Sequence, residues 1–261
     1  MSLKGIDALQ RNQWDDAEVL FADALHQNPT DERAHHHYAE VMWKRGQCKA
    51  AIQHMEESVR LSGGDATLLV QLGEMYLDQG DANAAWECAA DAIDSNIHLP
   101  GAWALRGDVY RRQGNWDAAL ESYHHALSEQ PHFPHVQMAT ADVYREQNRP
   151  QRALATLDSL AAQYRPQETP MDLFFQKGLS YKALGRYQEA VTVLTTATAQ
   201  SESPADWYYH LAEAQDLAGN SASAKLAIQA ALTRVPNHVA SLRLRDKIDR
   251  RDHTLTASIE R

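Results

Sequence analysis

Residues 114–131 read GNWDAALESYHHALSEQP, and residues 12–29 read NQWDDAEVLFADALHQNP. Trp116 stands where Trp14 does, Ala119 where Ala17 does, and Tyr123 where Phe21 does. Ala126 then answers Ala24, and Pro131 answers Pro29. The offset is 102 residues, three times 34. Self-similarity at such a period marks a repeat architecture, whose units cannot bury an apolar face alone and must stack.

Working outward, small residues recur at Gly5, Ala39, Gly73, Gly107, Ala141, Gly178 and Ala212, in steps of 34, 34, 34, 34, 37 and 34. Three residues on stand Ala8, Met42, Tyr76, Tyr110, Tyr144, Tyr181 and Gln215. A second column has no exception: Ala17, Ala51, Ala85, Ala119, Ala153, Ala190 and Ala224. Each copy reads as two helices joined by a turn centred on Gly46, Gly80, Gly114, Asn148, Gly185 or Gly219, residues that tolerate the left-handed C-cap conformation. The two small columns let the paired backbones approach, because side chains at the contact set the interaxial distance. Pro29, Pro131 and Pro236 stop second helices.

These residues resemble the tetratricopeptide repeat, with its W-x2-L-G-x2-Y…A-x3-F…P pattern. The nearest copy runs from WALRGDVY, Trp103 to Tyr110, through Ala119 and Tyr123 to Pro131, with Arg106 in place of the leucine. The resemblance spans about residues 3–238; Gly63 and Ile97 replace the closing proline, and Gln215 replaces the tyrosine. It implies an all-α, right-handed superhelical solenoid of antiparallel helix pairs. Seven repeats are expected at about 1–31, 32–65, 66–99, 100–133, 134–170, 171–204 and 205–238. HVASLRLRDKIDRR supplies a capping helix over about 239–251, followed by a frayed tail at 252–261. The longer step falls in QYRPQETP, 163–170, which reads first as a tolerated loop insertion and second as a hinge.

With 35 acidic against 25 basic side chains, the formal charge of −10 argues against a phosphate-backbone partner. No run approaches the ~18 consecutive apolar residues of a membrane span. Cys48 and Cys88 form no CxxC pair and read as small buried hydrophobes. They point weakly to a reducing, cytoplasmic setting, while a removed export segment would leave the same sequence.

No phosphate loop, zinc-protease helix or nucleophile elbow is present. Catalytic residues, cofactors and metals are therefore not expected. His35, His36 and His37 are consecutive, but helix neighbours point about 100° apart and should not all meet one ion. His36 and Glu40 share a face at i, i+4, an incomplete ligand set. His124 and His125 read as surface.

The resemblance implies a partner-binding groove lined by first helices. One position in it carries His36, Val70, Ala104, Met138, Phe175 and Tyr209, and beside these run Glu40, Glu74, Asp108, Asp142 and Glu213. An apolar row facing water would mark an interaction site. The same row equally fits side chains packed sideways between neighbouring repeats. Lys44, Arg111, Arg112 and Arg145 offer intrahelical partners to Glu40, Asp108 and Asp142, whereas Glu74 and Glu213 have none along their own helices. The chaperone-tail branch of the family clamps a C-terminal carboxylate with Lys and Asn in its opening helix. Here those positions hold Ser2 and Ile6, His36 and Glu40, or Val70 and Glu74, so that ligand is not expected. The sequence thus points to a non-enzymatic protein-interaction scaffold for a protein or peptide with apolar and basic residues. The alternative is a regulatory or substrate-recognition segment of a larger enzyme or complex.

Overall fold

The computed structural model describes residues 2–165, 167–200 and 202–259, with side chains described for 3–252 within those ranges. Every regular element among them is a helix. The pairs are α1 (Ser2–Gln10) with α2 (Trp14–Gln27), α3 (Glu32–Lys44) with α4 (Cys48–Ser62), and α5 (Ala66–Asp78) with α6 (Ala82–Ser95). They continue as α7 (Pro100–Arg112) with α8 (Trp116–Glu129), and α9 (Pro134–Glu146) with α10 (Pro150–Ala161). Then come α11 (Met171–Ala183) with α12 (Tyr187–Ala197), and α13 (Ala205–Leu217) with α14 (Ser221–Arg234). A last helix, α15, covers Val239–Ile259. It therefore runs on through 252–259, where a frayed tail is expected from sequence; residues 260 and 261 lie outside the described residues. The chain divides into two compact units, Met1–Val136 and Gln137–Arg261.

Local chemistry sets the helix ends. Asp31, Asp65, Asp81, Asn115 and Asn220 each accept a hydrogen bond from a first-turn backbone N–H, as at Asp65, which takes those of Thr67 and Leu68 at 2.9 and 3.1 Å. The six turn residues named from sequence all have positive φ, from 56° at Asn148 to 85° at Gly80. Asn12, with φ 57°, makes the same joint in the first pair. The hydrogen bonds repeat with it: Asp81 N donates to Tyr76 O at 2.9 Å, and Asn220 N to Gln215 O at 2.8 Å. That is the six-to-one bond of a Schellman cap, which satisfies carbonyls the helix end leaves free.

All seven alanines of the second column have zero exposure. The small residue of each first helix is small because of what lies opposite. A Cβ built on Gly5 would stand 2.7 Å from the Phe21 ring. At Gly107 it would strike the Tyr123 ring, and at Gly178 it would strike Leu194. At Gly73 it would come within 3.4 Å of the Ala85 carbonyl, so backbone meets backbone at the alanine column.

In the first unit, Ala39, Met55, Leu72, Leu77, Leu105 and Val109 build one core, joining α3 to α7. Arg106 does not leave a hole where the family has leucine. Its guanidinium lies 4.1 Å from the Trp103 ring centre and its Nε donates to Ser122 at 3.2 Å. His125 stays exposed, stacked on Trp103 at 4.2 Å.

In the second unit, Leu173 of α11 is fully buried with Ala153, Leu157 and Leu160 of α10. The helices on either side of 163–170 are thus packed together, and the extra length is absorbed in the loop, of which Pro166 lies outside the described residues. Leu244 and Ile248 of α15 join Ala227 and Ile228 of α14 in the core at the end of this unit. Polar contacts add to it: Arg251 pairs with Asp216, whose side chain is 2% exposed, and Lys225 reaches Asp249 and Asp252 at 2.9 and 2.7 Å.

Candidate partner-binding faces

In the first unit the expected apolar row closes into the core. Val70 is buried with Ala66, Leu69, Ala92 and Ala102, and Ala104 is buried too. Small neighbours leave room for this: Gly101 has no side chain where Val70 approaches, so a Cβ there would touch it at 3.5 Å. Of the two sequence readings, sideways packing between repeats applies at these positions.

The acidic positions of this unit separate into three environments. Asp108 is buried and accepts a hydrogen bond from the Tyr123 hydroxyl at 2.7 Å, with Arg111 at 3.4 Å and His135 at 3.8 Å. Arg112 goes elsewhere, to the Leu77 carbonyl at 3.3 Å. Glu40 is gripped by His37 Nδ1 at 2.9 Å, with His36 Nε2 at 3.7 Å. Partial burial pushes its carboxyl up, but the His37 hydrogen bond and the nearby charges of His36, His37 and Lys44 outweigh that and hold it below the usual value. Glu74 is exposed and has no ion-pair partner within reach among the described residues. Its hydration is displaced by surrounding atoms, and this, helped by the Asp108 and Asp78 charges against His135, raises its carboxyl.

The histidine triplet does not gather as a whole, but two of its members do. His35 turns to His54, with Nδ1 atoms 2.9 Å apart, but the rings of His36 and His37 stack at 4.7 Å and converge on Glu40. Side-chain torsions bring together what the 100° spacing of the backbone separates. Possible ligand atoms of His36, His37 and Glu40 lie within 4.8 Å of one another, one short of a four-ligand structural zinc set. A cavity of about 360 Å³ opens beside Glu40 and Glu74, with Trp14, Trp43, Met75 and Asp78 in its wall.

In the second unit the row stays partly open. Met138 is half-buried against the Ala141–Leu157 cluster. Phe175 stacks on Trp207 at 4.8 Å and 10° between planes, and Tyr209 of α13 meets His238 edge-on, with ring centres 6.0 Å apart. All three rings are half-buried. Asp142 is bonded by Arg145, the intrahelical pair expected from sequence. Glu213 is not unpartnered. His210 of its own helix lies at 3.5 Å, and Lys182 of α11 bonds it from the neighbouring first helix. The His210 hydrogen bond, with the Lys182 bond and charge, outweighs burial and lowers its carboxyl to about 2.

That depression links folding to pH. A carboxyl lowered on folding stabilises the fold above its ordinary value of 4.5, and the contribution is lost as pH falls through about 2. Because Glu213 is only half-buried, screening limits the effect to about 1 kcal/mol. Lys182→Met should flatten the acid limb of a stability–pH curve in that window; an unchanged limb would show that the pair contributes nothing.

Sequence reading misses Trp207, Lys182, His37 and the cavity-lining Trp14 and Trp43. For Lys182 a signal exists: it precedes Glu213 by 31 residues, the same separation as His98 and Glu129, which meet at 3.0 Å across neighbouring repeats. Partners about one period apart lie side by side.

Two tetratricopeptide-repeat family models match, one over 8–57 and 110–169, the other over 70–131 and 175–239. The chain belongs to the tetratricopeptide-repeat family. Arrays of this family serve generally as protein-interaction scaffolds and not as enzymes. The fold is similar to that of a tetratricopeptide repeat protein from Parabacteroides merdae, at 15% identity, covering 92% of this chain and 94% of that one with a TM-score of 0.74. PilW, a widely conserved type IV pilus biogenesis factor, is 25% identical over 75% of this chain and 89% of its own, with a TM-score of 0.67. Human IFIT1, solved as a dimer with PPP-AAAA, is 17% identical over 94% of this chain and 61% of its own, with a TM-score of 0.74. No curated protein matches the chain in sequence. Among the described residues, no helix of this tetratricopeptide array is long and apolar enough to cross a membrane.

Proposed function

We propose that the chain is a non-enzymatic scaffold that takes up a partner's peptide segment along the groove faces of its first helices. The observation that carries this reading is the aromatic group of the second unit. Phe175, Trp207 and Tyr209 keep part of their rings in water on α11 and α13, although neighbouring core positions are fully buried. Large amphipathic rings held by stacking lose little entropy on binding and supply most of the energy where they cluster. Met138 adds an adaptable apolar surface. The acidic balance favours a partner with basic residues over a phosphate-backbone partner. Because PilW is a pilus biogenesis factor, proteins of type IV pilus biogenesis are the first to screen as partners.

Random peptides displayed on phage and selected on the purified chain should converge on apolar residues with Arg or Lys nearby. Met138→Glu with Phe175→Glu should abolish binding of the selected peptides while the far-ultraviolet circular dichroism stays that of the parent. Selected peptides that bind the double variant like the parent would place the partner surface elsewhere.

A further inference from the structure

We infer that the cavity of the first unit is the seat of an arginine side chain of the partner segment. This rests on the scaffold reading and specifies what one part of the ligand must be. The cavity, about 360 Å³, is bounded by Trp14, Trp43, Glu40, Glu74, Asp78 and Gln71 among others. That volume falls in the range of small-ligand sites, ~300–1,000 Å³, and admits a long side chain with part of its backbone.

The wall carries more negative charge than it neutralises. Glu40 is satisfied by His37, and Lys44, on the same wall, offsets one carboxylate. Glu74 has no cation within ion-pair distance among the described residues. Among the described residues Asp78 has only Arg112, at 4.0 Å, which is also bonded to the Leu77 carbonyl. Glu74 and Asp78 stand at i, i+4 on α5, so both carboxylates share one face. Gln71 adds a separate observation: its Oε1 is buried and accepts no hydrogen bond. Three carboxylates face one ammonium on this wall, and the Gln71 oxygen lacks a donor, so the surplus is of acceptors and calls for a ligand that is all donors.

A guanidinium fits that description. It carries five N–H donors and no acceptor, binds carboxylates as a planar fork, and lies favourably on indole faces. The apolar stem would run past Leu9 and Met75, which line the same cavity. Crowding and the Asp108 and Asp78 charges already raise the Glu74 carboxyl, and a docked cation relieves that repulsion.

The test uses the full chain and three blocked tripeptides: acetyl-Leu-Arg-Leu-amide, its citrulline analogue, and its lysine analogue. Citrulline keeps the shape of arginine and removes the charge. Indole N–H signals in a nitrogen-15 correlation spectrum, assigned with Trp→Phe variants, report on each tryptophan separately. The arginine peptide should move the Trp14 and Trp43 signals at millimolar concentration, with the citrulline peptide about tenfold weaker. Glu74→Gln with Asp78→Asn should weaken the arginine peptide about tenfold with unchanged circular dichroism. Equal binding of the citrulline peptide, tighter binding of the lysine peptide, or no movement of Trp14 and Trp43 would each overturn the assignment. Movement of Trp207 alone would do so too, yet would leave the scaffold reading intact.

Discussion

Tyr123→Ala is expected to destabilise the first unit by about 3–5 kcal/mol, the cost of removing a large ring from a packed core. Tyr123 has no exposed surface, and it fills the space that Gly107 leaves by lacking a Cβ. Its hydroxyl donates to the buried Asp108 at 2.7 Å and accepts from Arg111 Nε at 3.2 Å. Burial and the Asp108 charge push the phenol far above its ordinary range, so it stays a donor at every working pH. Alanine therefore opens a cavity and strips a buried carboxylate of its shortest bond. Tyr123→Phe separates the two effects and should cost about 1–3 kcal/mol, the penalty of an unsatisfied buried acceptor. Urea unfolding measures both. Hydrogen exchange should place the loss in the helices around α8, because contacts in a repeat array are between neighbours. A loss under about 1 kcal/mol for Tyr123→Ala would mean that the ring is not the wedge between α7 and α8.

Leucine in the alanine column is the opposite error, too much volume in place of too little. Ala119→Leu in the first unit and Ala153→Leu in the second should each cost about 1–3 kcal/mol, since a fully buried methyl offers no direction of growth. The carbonyl of Ala85, in the same column, would lie 3.4 Å from a Cβ on Gly73, so these helices cannot part without losing the contact that pairs them. Melting temperatures equal to the parent's would show that the column does not mark helix crossings.

The helix pairs were legible because each rests on a constraint written at one position. A left-handed joint needs Gly or Asn, and a close crossing needs Gly or Ala; both recur at a fixed period, and the structure puts all of them where the spacing does. The candidate faces were less legible, because position in a repeat fixes the direction of a side chain and not what meets it. Val70 and Phe175 hold equivalent positions. Val70 disappears into the core beside Gly101 and the small residues Ala66 and Ala102, while Phe175 meets the flat ring of Trp207 and stays half open. Glu213 has His210 three residues before it on its own helix, but its lysine partner sits on the neighbouring one, which helix spacing alone does not reveal. His36 and His37 looked divergent because backbone spacing says nothing of side-chain torsions.

The last helix does more than complete a core. Each pair in the array offers on one side the surface its successor needs, so the arrangement contains no internal reason to stop. α15 occupies the final such surface with Leu244 and Ile248, and Arg251 neutralises Asp216 there. Remove it, and the exposed end becomes a socket shaped for a first helix, with a buried acid that would itself need a cation. In the terms of a stacked array, α15 keeps that surface from meeting a further helix.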